Sequence, residues 1–310
     1  MGVDINGLAC LISKVKSTPL STQQLKRVRD SIDEVTEENR RWRAGKRIQV
    51  KVPEIEGLNH WFQANVAMEL SLILNKINQL EDKGASDFMR AAFSSIVVRV
   101  SNQDSDTRFA AIDKQIPDGF TLDLFVTRSK ECLKQMREFS EAIKFSATVQ
   151  THNADSRKLN FLETESVDLI ITSPPYANTY DYYLYHKFRK RWLGIDVRFA
   201  QLNEIGSRRE YSSLKEDPKK WVVDLQLCLS EMARVLKRGG VMVLVLGDSI
   251  IRGRLLKMDL ITTEMASELG LKVDQISSTS LTNHSKVFNP AFTNRKKKEH
   301  LILLRKVRNR

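Results

Sequence analysis

Four consecutive residues, Ser173, Pro174, Pro175 and Tyr176, have the clearest potential for chemistry in this chain. They follow the apolar run of residues 169–171, which predicts a short, buried parallel strand. The two prolines have no N–H group to offer a neighbouring strand, so the strand ends at a rigid turn. Ligands of open α/β sheets bind at the carboxyl ends of strands, which makes this turn a candidate site.

The composition of the turn suits reaction at an exocyclic base amine. Such an amine is a poor nucleophile because its lone pair is delocalised into the ring, and hydrogen-bond acceptors localise that pair on nitrogen. The Ser173 oxygen and the Pro174 carbonyl can supply two acceptors, and Tyr176 offers a flat face for an extruded base. The alternative interpretation is an ordinary Pro-Pro loop beside a core tyrosine.

A second motif, Asn-Ala-Asp-Ser at residues 153–156, follows a strand predicted at residues 147–150. Together with residues 167–176, it resembles the adjoining motifs of the amino-group DNA methyltransferases, which use S-adenosyl-L-methionine (AdoMet) to methylate cytosine N4 or adenine N6. The Thr-Ser-Pro-Pro-Tyr motif resembles that of the cytosine-N4 branch more than that of the adenine branch. The resemblance implies that the catalytic residues are Ser173, Pro174, Pro175 and Tyr176.

The first residues of the sequence contain another part of the same pattern. Residues 1–6 read as a strand that ends in Asp4, and an apolar helical face follows at residues 8–15. In dinucleotide-type folds, an acid at the end of the second strand binds the ribose hydroxyls. The resemblance therefore implies that AdoMet is bound by Asp4, Asn6, Asp155 and Ser156.

The strand and Gly-rich loop that precede this acid in the family are not recognisable in the sequence. Gly239, Gly240 and Gly247 lie far downstream, after a predicted helix, and do not fit that loop. We therefore expect an α/β fold with a Rossmann-like class I AdoMet methyltransferase sheet that lacks its first strand and Gly-rich loop. Two explanations are open, a small subunit that carries the Gly-rich AdoMet loop or a truncated chain, and the first is favoured.

Three domains are predicted. Residues 1–20 supply the second strand and helix of the core, 21–145 a mainly helical insertion that is the candidate target-recognition region, and 146–310 the catalytic core. The main helices are expected at residues 22–43, 61–77, 85–100, 120–145, 221–236 and 260–269. Gly239 and Gly240 are expected to cap the helix at 221–236, before a strand at 241–246 and a closing antiparallel pair at 271–278 and 300–304.

Composition points to a polyanionic partner. The 310 residues include 50 Lys and Arg against 38 Asp and Glu, a net charge of +12, which favours double-stranded DNA. The basic run at residues 295–298 can flank DNA or be simply solvated. The three cysteines are far apart without metal-ligand spacing, so no metal site and a cytoplasmic location are expected. Apolar runs of membrane-spanning length are absent from the sequence, so no membrane association is expected.

The sequence therefore predicts a site-specific DNA methyltransferase of a restriction-modification system. It would transfer a methyl group from AdoMet to an exocyclic base amine, with cytosine N4 preferred over adenine N6. Two alternatives are an RNA or protein-amide methyltransferase and a non-catalytic DNA-binding remnant. The basic charge favours nucleic acid over protein, and the long insertion favours duplex DNA.

Overall fold

A computed structural model describes residues 1–143, 147–281 and 297–307 of the chain. They form two compact units. The first unit contains Met1–Asn153 and Tyr183–Leu202, and the second contains Ala154–Tyr182 and Asn203–Arg310. None of the described helices is both long enough and apolar enough to cross a membrane.

Helices dominate the first unit. The elements up to residue 153 are β1 (Gly2–Asp4), α1 (Gly7–Ser17), α2 (Thr22–Arg43), α3 (Leu58–Trp61), α4 (Ala64–Asn78), α5 (Lys83–Val100), β2 (Gln103–Ser105), β3 (Arg108–Ala111), α6 (Phe120–Ala142) and β4 (Thr151–Asn153). The strands β1 and β4 pair in parallel, and β2 and β3 form an antiparallel hairpin. Most of residues 21–145 are therefore helical.

Local sequence signals explain why α2 begins and packs where it does. The Ser21 hydroxyl accepts a hydrogen bond from the Gln24 N–H, and the Gln24 side chain accepts one from the Ser21 N–H. This reciprocal capping box satisfies two donors that the helix start leaves without partners. Val28, Ile32 and Val35 then repeat at helical spacing and are fully buried. The predicted end of this helix at Arg43 is confirmed.

The remaining elements lie mainly in the second unit. After β5 (Val167–Thr172), four short helices follow: α7 (Tyr182–Tyr185), α8 (Lys187–Trp192), α9 (Arg198–Asn203) and α10 (Arg208–Ser212). All of α8 and most of α7 and α9 belong to the first unit. The last elements are α11 (Pro218–Val235), β6 (Leu236–Gly247), β7 (Ser249–Ile251), β8 (Arg254–Leu256), α12 (Met258–Glu268), β9 (Leu271–Ser280) and β10 (Lys298–Lys306).

The second unit is built around a four-stranded sheet in the order β5-β6-β10-β9. The strands β5 and β6 are parallel, and β10 runs antiparallel to both of its neighbours. Apolar residues of α11, such as Leu225 and Leu229, share one buried cluster with Met242 and Leu244 of β6. The predicted closing antiparallel pair is confirmed, and so is the predicted α/β class with a Rossmann-like sheet.

Three local predictions are wrong. The helix α11 ends at Val235 without a glycine cap, and both Gly239 and Gly240 lie inside β6. The register between β5 and β6 shifts before Leu169, and the positive φ of Gly239, 78°, accommodates this irregularity. The strand expected at residues 147–150 lies instead at Thr151–Asn153, where pairing with β1 fixes it.

The third error concerns the burial of β5. This strand is parallel as predicted, yet it lies at one edge of its sheet, and Leu169 and Ile171 are 53% and 69% exposed.

Two further predictions fall partly outside the described residues. The helix expected to reach residue 145 ends at Ala142, before the gap at 144–146, and Arg295 and Lys296 of the basic run are not described.

Candidate functional site

The turn predicted to carry the chemistry begins directly after β5, as expected. Ser173 is exposed, Pro174 is buried, and Pro175 and Tyr176 are half-buried. The turn therefore presents one hydroxyl to solvent while its next residue is anchored in the protein. An exposed polar group on a fixed backbone is suited to contact a ligand without first rearranging.

Tyr176 is held from two sides. Its hydroxyl donates a 2.6 Å hydrogen bond to Oε1 of Glu299, on β10. Its ring lies across Gly247, where an added Cβ would come within 2.7 Å of the ring carbon Cε2. Only glycine at this position leaves room for the ring, which explains why a glycine ends β6.

The environment of the Tyr176 hydroxyl keeps it protonated. Burial raises the pKa of Tyr176, and its bond to the Glu299 carboxylate raises it further. The hydroxyl therefore cannot serve as an anionic base near neutral pH. Its structural position joins Tyr176 to Glu299 by a hydrogen bond between two distant segments of the chain.

The backbone beyond Tyr176 is also fixed. Ala177 is buried, and Asn178 adopts a φ of 58° while its side-chain amide donates to the carbonyl of Ile250 at 3.1 Å. The N–H of Asn178 donates to the carbonyl of Gly206 at 2.9 Å. Gly206 has a φ of 75°, and a Cβ there would lie 2.6 Å from the indole of Trp221. These contacts hold the turn against the body of the second unit.

Asp155, one of the predicted cofactor residues, is engaged by a partner that the sequence did not reveal. Its oxygens accept hydrogen bonds from Nε, Nη2 and the backbone N–H of Arg157 at 2.7–3.1 Å. Arg157 also donates to Asp224 at 2.6 Å. Burial alone would raise the pKa of Asp155, but the bonds from Arg157 outweigh it and the net shift is downward. Ser156 beside it is half-buried.

Asp4 and Asn6, the other predicted cofactor residues, belong to the first unit. Oδ1 of Asp4 accepts the N–H of Asn6 at 2.7 Å, and Oδ1 of Asn6 accepts the N–H of Leu8, which caps α1. The amide nitrogen of Asn6 lies 2.9 Å from Nδ1 of His186. Burial is the main effect that lowers the pKa of His186, to about 4, so this imidazole is neutral.

The structure thus groups the predicted residues in two sets. Ser173, Pro174, Pro175 and Tyr176 lie in the second unit with Asp155 and Ser156, whereas Asp4 and Asn6 lie in the first. Sequence reasoning missed Glu299 and Arg157, because neither belongs to a motif. Arg157 could have been suspected from its spacing of two residues after Asp155. Glu299 lies 123 residues from Tyr176 and gives no such signal.

A buried polar cluster anchors the strand that carries Glu299. Asp248 accepts the N–H of Lys298 at 3.0 Å and the N–H of Met258 at 2.9 Å, and it lies 3.1 Å from Nε2 of His300. Asp259 completes a group whose possible ligand atoms lie within 4.8 Å of one another. Both Asp248 oxygens are engaged by backbone N–H groups, so this cluster has a clear structural role at the start of β10.

Comparison with known proteins agrees with the resemblance indicated by the motifs. Residues 167–308 match the family model of the N6/N4 methyltransferases, described as DNA methylase. The type II methyltransferase M.MvaI of Kocuria varians is 26% identical over 209 residues, which are 63% of this chain and 46% of that protein. The match therefore spans about half the length of this relative.

Similar solved structures include two DNA methylases. A putative DNA modification methylase from Thermus thermophilus is 18% identical, with a TM-score of 0.32, over 51% of this chain and 53% of that chain. The PvuII DNA methyltransferase, described as cytosine-N4-specific, is 17% identical, also with a TM-score of 0.32, over 50% of this chain and 48% of that chain.

The family match begins at the first residue of β5, so it contains the Ser173–Tyr176 turn and the strand that carries Glu299. The predicted resemblance is confirmed: residues 167–308 of the chain match the N6/N4 DNA methylase family.

Proposed function

We propose that this protein methylates an exocyclic base amine in double-stranded DNA, with cytosine N4 preferred over adenine N6. The observation that carries the proposal is the turn after β5, where an exposed Ser173 precedes a buried Pro174 and a tyrosine ring whose hydroxyl is bonded to Glu299. The family match over residues 167–308 and the net charge of +12 support a DNA substrate. The Thr-Ser-Pro-Pro-Tyr motif supports the preference for cytosine N4.

Each residue of the turn has a distinct task in this proposal. The Ser173 oxygen and the Pro174 carbonyl each accept a hydrogen bond from one of the two amine hydrogens. These two bonds localise the lone pair on the amine nitrogen. Pro174 and Pro175 keep the backbone rigid, so these acceptors are in place before the base arrives. The ring of Tyr176 stacks on the base after it has left the duplex.

AdoMet is the proposed cofactor, and when bound it supplies a methyl group activated by its sulfonium charge. Asp4 fits a ribose contact, because its hydrogen bond to Asn6 uses Oδ1 and Oδ2 accepts none within the described residues. Asn6 fixes the backbone that follows Asp4, since its side chain caps α1. Asp155 and Ser156 are proposed to contact the adenine, with Arg157 holding the Asp155 carboxylate in one orientation.

The open edge of β5 supports a further element of the proposal, a Gly-rich AdoMet loop on a separate small subunit. Within the described residues β5 pairs only with β6, and its apolar side chains Leu169 and Ile171 are 53% and 69% exposed. An unpaired apolar strand edge is a ready template for another strand. A strand that pairs with β5 and carries the Gly-rich loop would satisfy the free backbone groups of this edge and extend the sheet beside both side chains.

The helical region 21–145 is proposed to recognise the target sequence. It presents basic residues near the end of α2, where Arg40, Arg41 and Arg43 are 75%, 48% and 54% exposed in their side chains. Several of them pair with acids of the same unit, for example Arg40 with Glu37. If these arginines contact DNA phosphates, the affinity for DNA should fall as the salt concentration rises.

Labelled methyl transfer tests the proposal. The purified chain is incubated with double-stranded DNA and methyl-labelled AdoMet, with and without a polypeptide that supplies a strand and a Gly-rich loop. We expect label in DNA that depends on Ser173 and increases when the polypeptide is added. Label in RNA or protein and not in DNA would support the alternative methyltransferases, and DNA binding without any transfer would support a non-catalytic module.

A further inference from the structure

Asn178, two residues after Tyr176, adopts a left-handed backbone conformation with a φ of 58°. Residues with a Cβ rarely adopt this conformation, because the Cβ comes too close to the following carbonyl oxygen, and asparagine is one of the few that tolerate it. Such a conformation persists only where surrounding contacts determine it, and it is found most often at functional sites. At Asn178, two hydrogen bonds supply these contacts.

Both bonds end on backbone carbonyls of distant segments within the second unit. The Asn178 N–H donates to the carbonyl of Gly206 at 2.9 Å, and the side-chain amide donates to the carbonyl of Ile250 at 3.1 Å. Gly206 is itself fixed, since the Trp221 indole fills the space in which a Cβ would lie. Asn178 therefore fastens the chain beyond Tyr176 at two points, one through its backbone and one through its side chain.

One short segment, from Gly247 to Ile250, supports both Tyr176 and Asn178. Its first residue lies against the Tyr176 ring, and its last residue accepts the Asn178 amide. Asp248 within this segment accepts backbone N–H groups from β10 and from the first turn of α12, at 3.0 Å and 2.9 Å. The ring of Tyr176 and the anchor of Asn178 are therefore located by the same rigid support.

The turn after β5 is thereby a short bridge between two fixed points. It leaves the strand at Thr172 and is fastened again at Asn178, with residues 173–177 between them. The φ angles of Pro174 and Pro175 are set by their rings, so few torsions of this bridge are free. The position of Asn178 therefore determines where the Pro174 carbonyl and the residues on either side of it lie.

We propose that Asn178 is a positioning residue for methyl transfer. Its left-handed backbone and its amide bond to Ile250 hold the turn of residues 173–176 in the conformation that presents Ser173 and Tyr176 to the base. The proposal rests on the proposed function, since it assigns a task in that reaction. Asn178 touches neither the base nor AdoMet in this account, and acts only by placing the residues that do.

Two variants of the full chain, supplied with the Gly-rich polypeptide if transfer requires it, separate the backbone of Asn178 from its side chain. Asn178→Gly keeps the left-handed backbone and removes only the amide bond, whereas Asn178→Ala removes the bond and also opposes the backbone conformation. At saturating DNA and AdoMet, we expect single-turnover methyl transfer to be about fivefold slower for the glycine variant and about 20-fold slower for the alanine variant. The concentrations of DNA and AdoMet that give half of the maximal rate should change by less than about twofold.

Lys215→Ala is the matched control. Lys215 lies in the exposed connection between α10 and α11 and also has a left-handed backbone, with a φ of 56°. Alanine therefore introduces the same backbone conflict there as at Asn178. We expect the Lys215→Ala protein to lose stability to a similar degree and to keep the wild-type rate of transfer.

Hydrogen exchange measures the positioning itself, without DNA or cofactor. The amides of residues 176–182 should exchange faster in Asn178→Ala than in the wild type, and at the wild-type rate in Lys215→Ala. Unchanged exchange or unchanged transfer in Asn178→Ala would overturn the proposal while the proposed function stands. A loss of transfer that Lys215→Ala reproduces would also overturn it, because a general loss of stability explains that result. If the wild-type protein transfers no methyl group to DNA with or without the Gly-rich polypeptide, the proposed function falls and this inference falls with it.

Discussion

The segments that follow β1 and β5 occupy equivalent places, each at the carboxyl end of a parallel strand, but they differ in how their polar groups are used. After β1, Asp4 and Asn6 bond to the backbone of the next residues, and Asn6 also lies against His186. After β5, Ser173 is exposed, and Tyr176 is held by a hydrogen bond from its hydroxyl to Glu299. The first segment is organised by its own bonds, and the second is organised by a distant glutamate.

This difference indicates which segment is suited to which task. A carboxylate fixed by local backbone bonds can hold a ligand through the oxygen that remains, so the segment after β1 suits binding. An exposed hydroxyl on a rigid turn can accept a hydrogen bond from a substrate, so the segment after β5 suits chemistry. Variants of the two segments should therefore affect different steps, binding in one case and methyl transfer in the other.

The largest effect is expected for Ser173→Ala. Loss of a preorganised hydrogen-bonding group at a reacting centre typically costs about 10²–10³ in rate, and we expect a loss of methyl transfer in that range. The affinities for DNA and AdoMet should stay within a factor of two of the wild type, by the scatter of surface substitutions. Ser267→Ala, at an exposed position of α12, is the control. A Ser173→Ala protein with the wild-type rate would remove Ser173 from the chemistry.

A smaller but still large effect is expected for Tyr176→Ala, which removes the stacking face. Base stacking on an aromatic ring contributes about 1–3 kcal/mol, so base extrusion and methyl transfer should both weaken accordingly. Fluorescence of 2-aminopurine at the target position reports the extrusion. Tyr176→Phe keeps the ring and should retain extrusion, with only the modest loss of rate that follows from its missing hydroxyl. Equal loss in both variants would show that the hydroxyl, and not the ring, is essential.

For the segment after β1, Asp4→Ala should weaken AdoMet binding by about tenfold, the order expected for a hydrogen bond to a charged group. Calorimetric titration measures this affinity, and Asp4→Asn should recover part of it. The rate of transfer at saturating AdoMet should change little. If Asp4→Ala instead lowered the saturated rate and left the affinity intact, the division of tasks between the two segments would be wrong.

The last effect is on stability and not on binding or methyl transfer, and it concerns the pair of Asp155 and Arg157, whose side chains are 16% and 19% exposed. Arg157→Gln should lower the free energy of unfolding by about 1–3 kcal/mol. The pKa of Asp155 is lowered in the folded protein, so the pair stabilises above the ordinary aspartate pKa and loses this contribution as pH falls through the lowered value. The stability difference between wild type and variant, measured by chemical denaturation, should therefore persist at pH 5–7 and shrink only below about pH 4. A difference that shrinks between pH 7 and 5 would exclude this explanation.

Local signals made much of the fold predictable, and long-range contacts account for most of what was not. The cap at Ser21 and the helical spacing of Val28 and Ile32 located α2 to within a residue. The glycines 239 and 240 suggested a helix end, but strand pairing with β5 placed them inside β6. The edge position of β5 was equally hidden, because an apolar run looks the same in a central and an edge strand.

In the candidate site, too, the local features could be predicted from the sequence and the long-range contacts could not. The turn of residues 173–176 was recognisable because its chemistry lies within one short segment. Glu299 and Gly247 reach Tyr176 only through the pairing of β6 with β10, which no local pattern encodes. Arg157 was within reach of the sequence, but its choice between Asp155, Asp224 and solvent depended on packing.

The most direct test of the central claim is to identify the methylated nucleoside. Duplex DNA is treated with AdoMet and the wild-type protein, or with Ser173→Ala protein, and is then digested for nucleoside analysis by mass spectrometry. The account predicts N4-methylcytosine with the wild-type protein and a yield about 10²–10³ lower with the variant. N6-methyladenine would keep the amine chemistry and correct the base. Equal yields from both proteins, or 5-methylcytosine as the product, would contradict the role of the Ser173–Tyr176 turn.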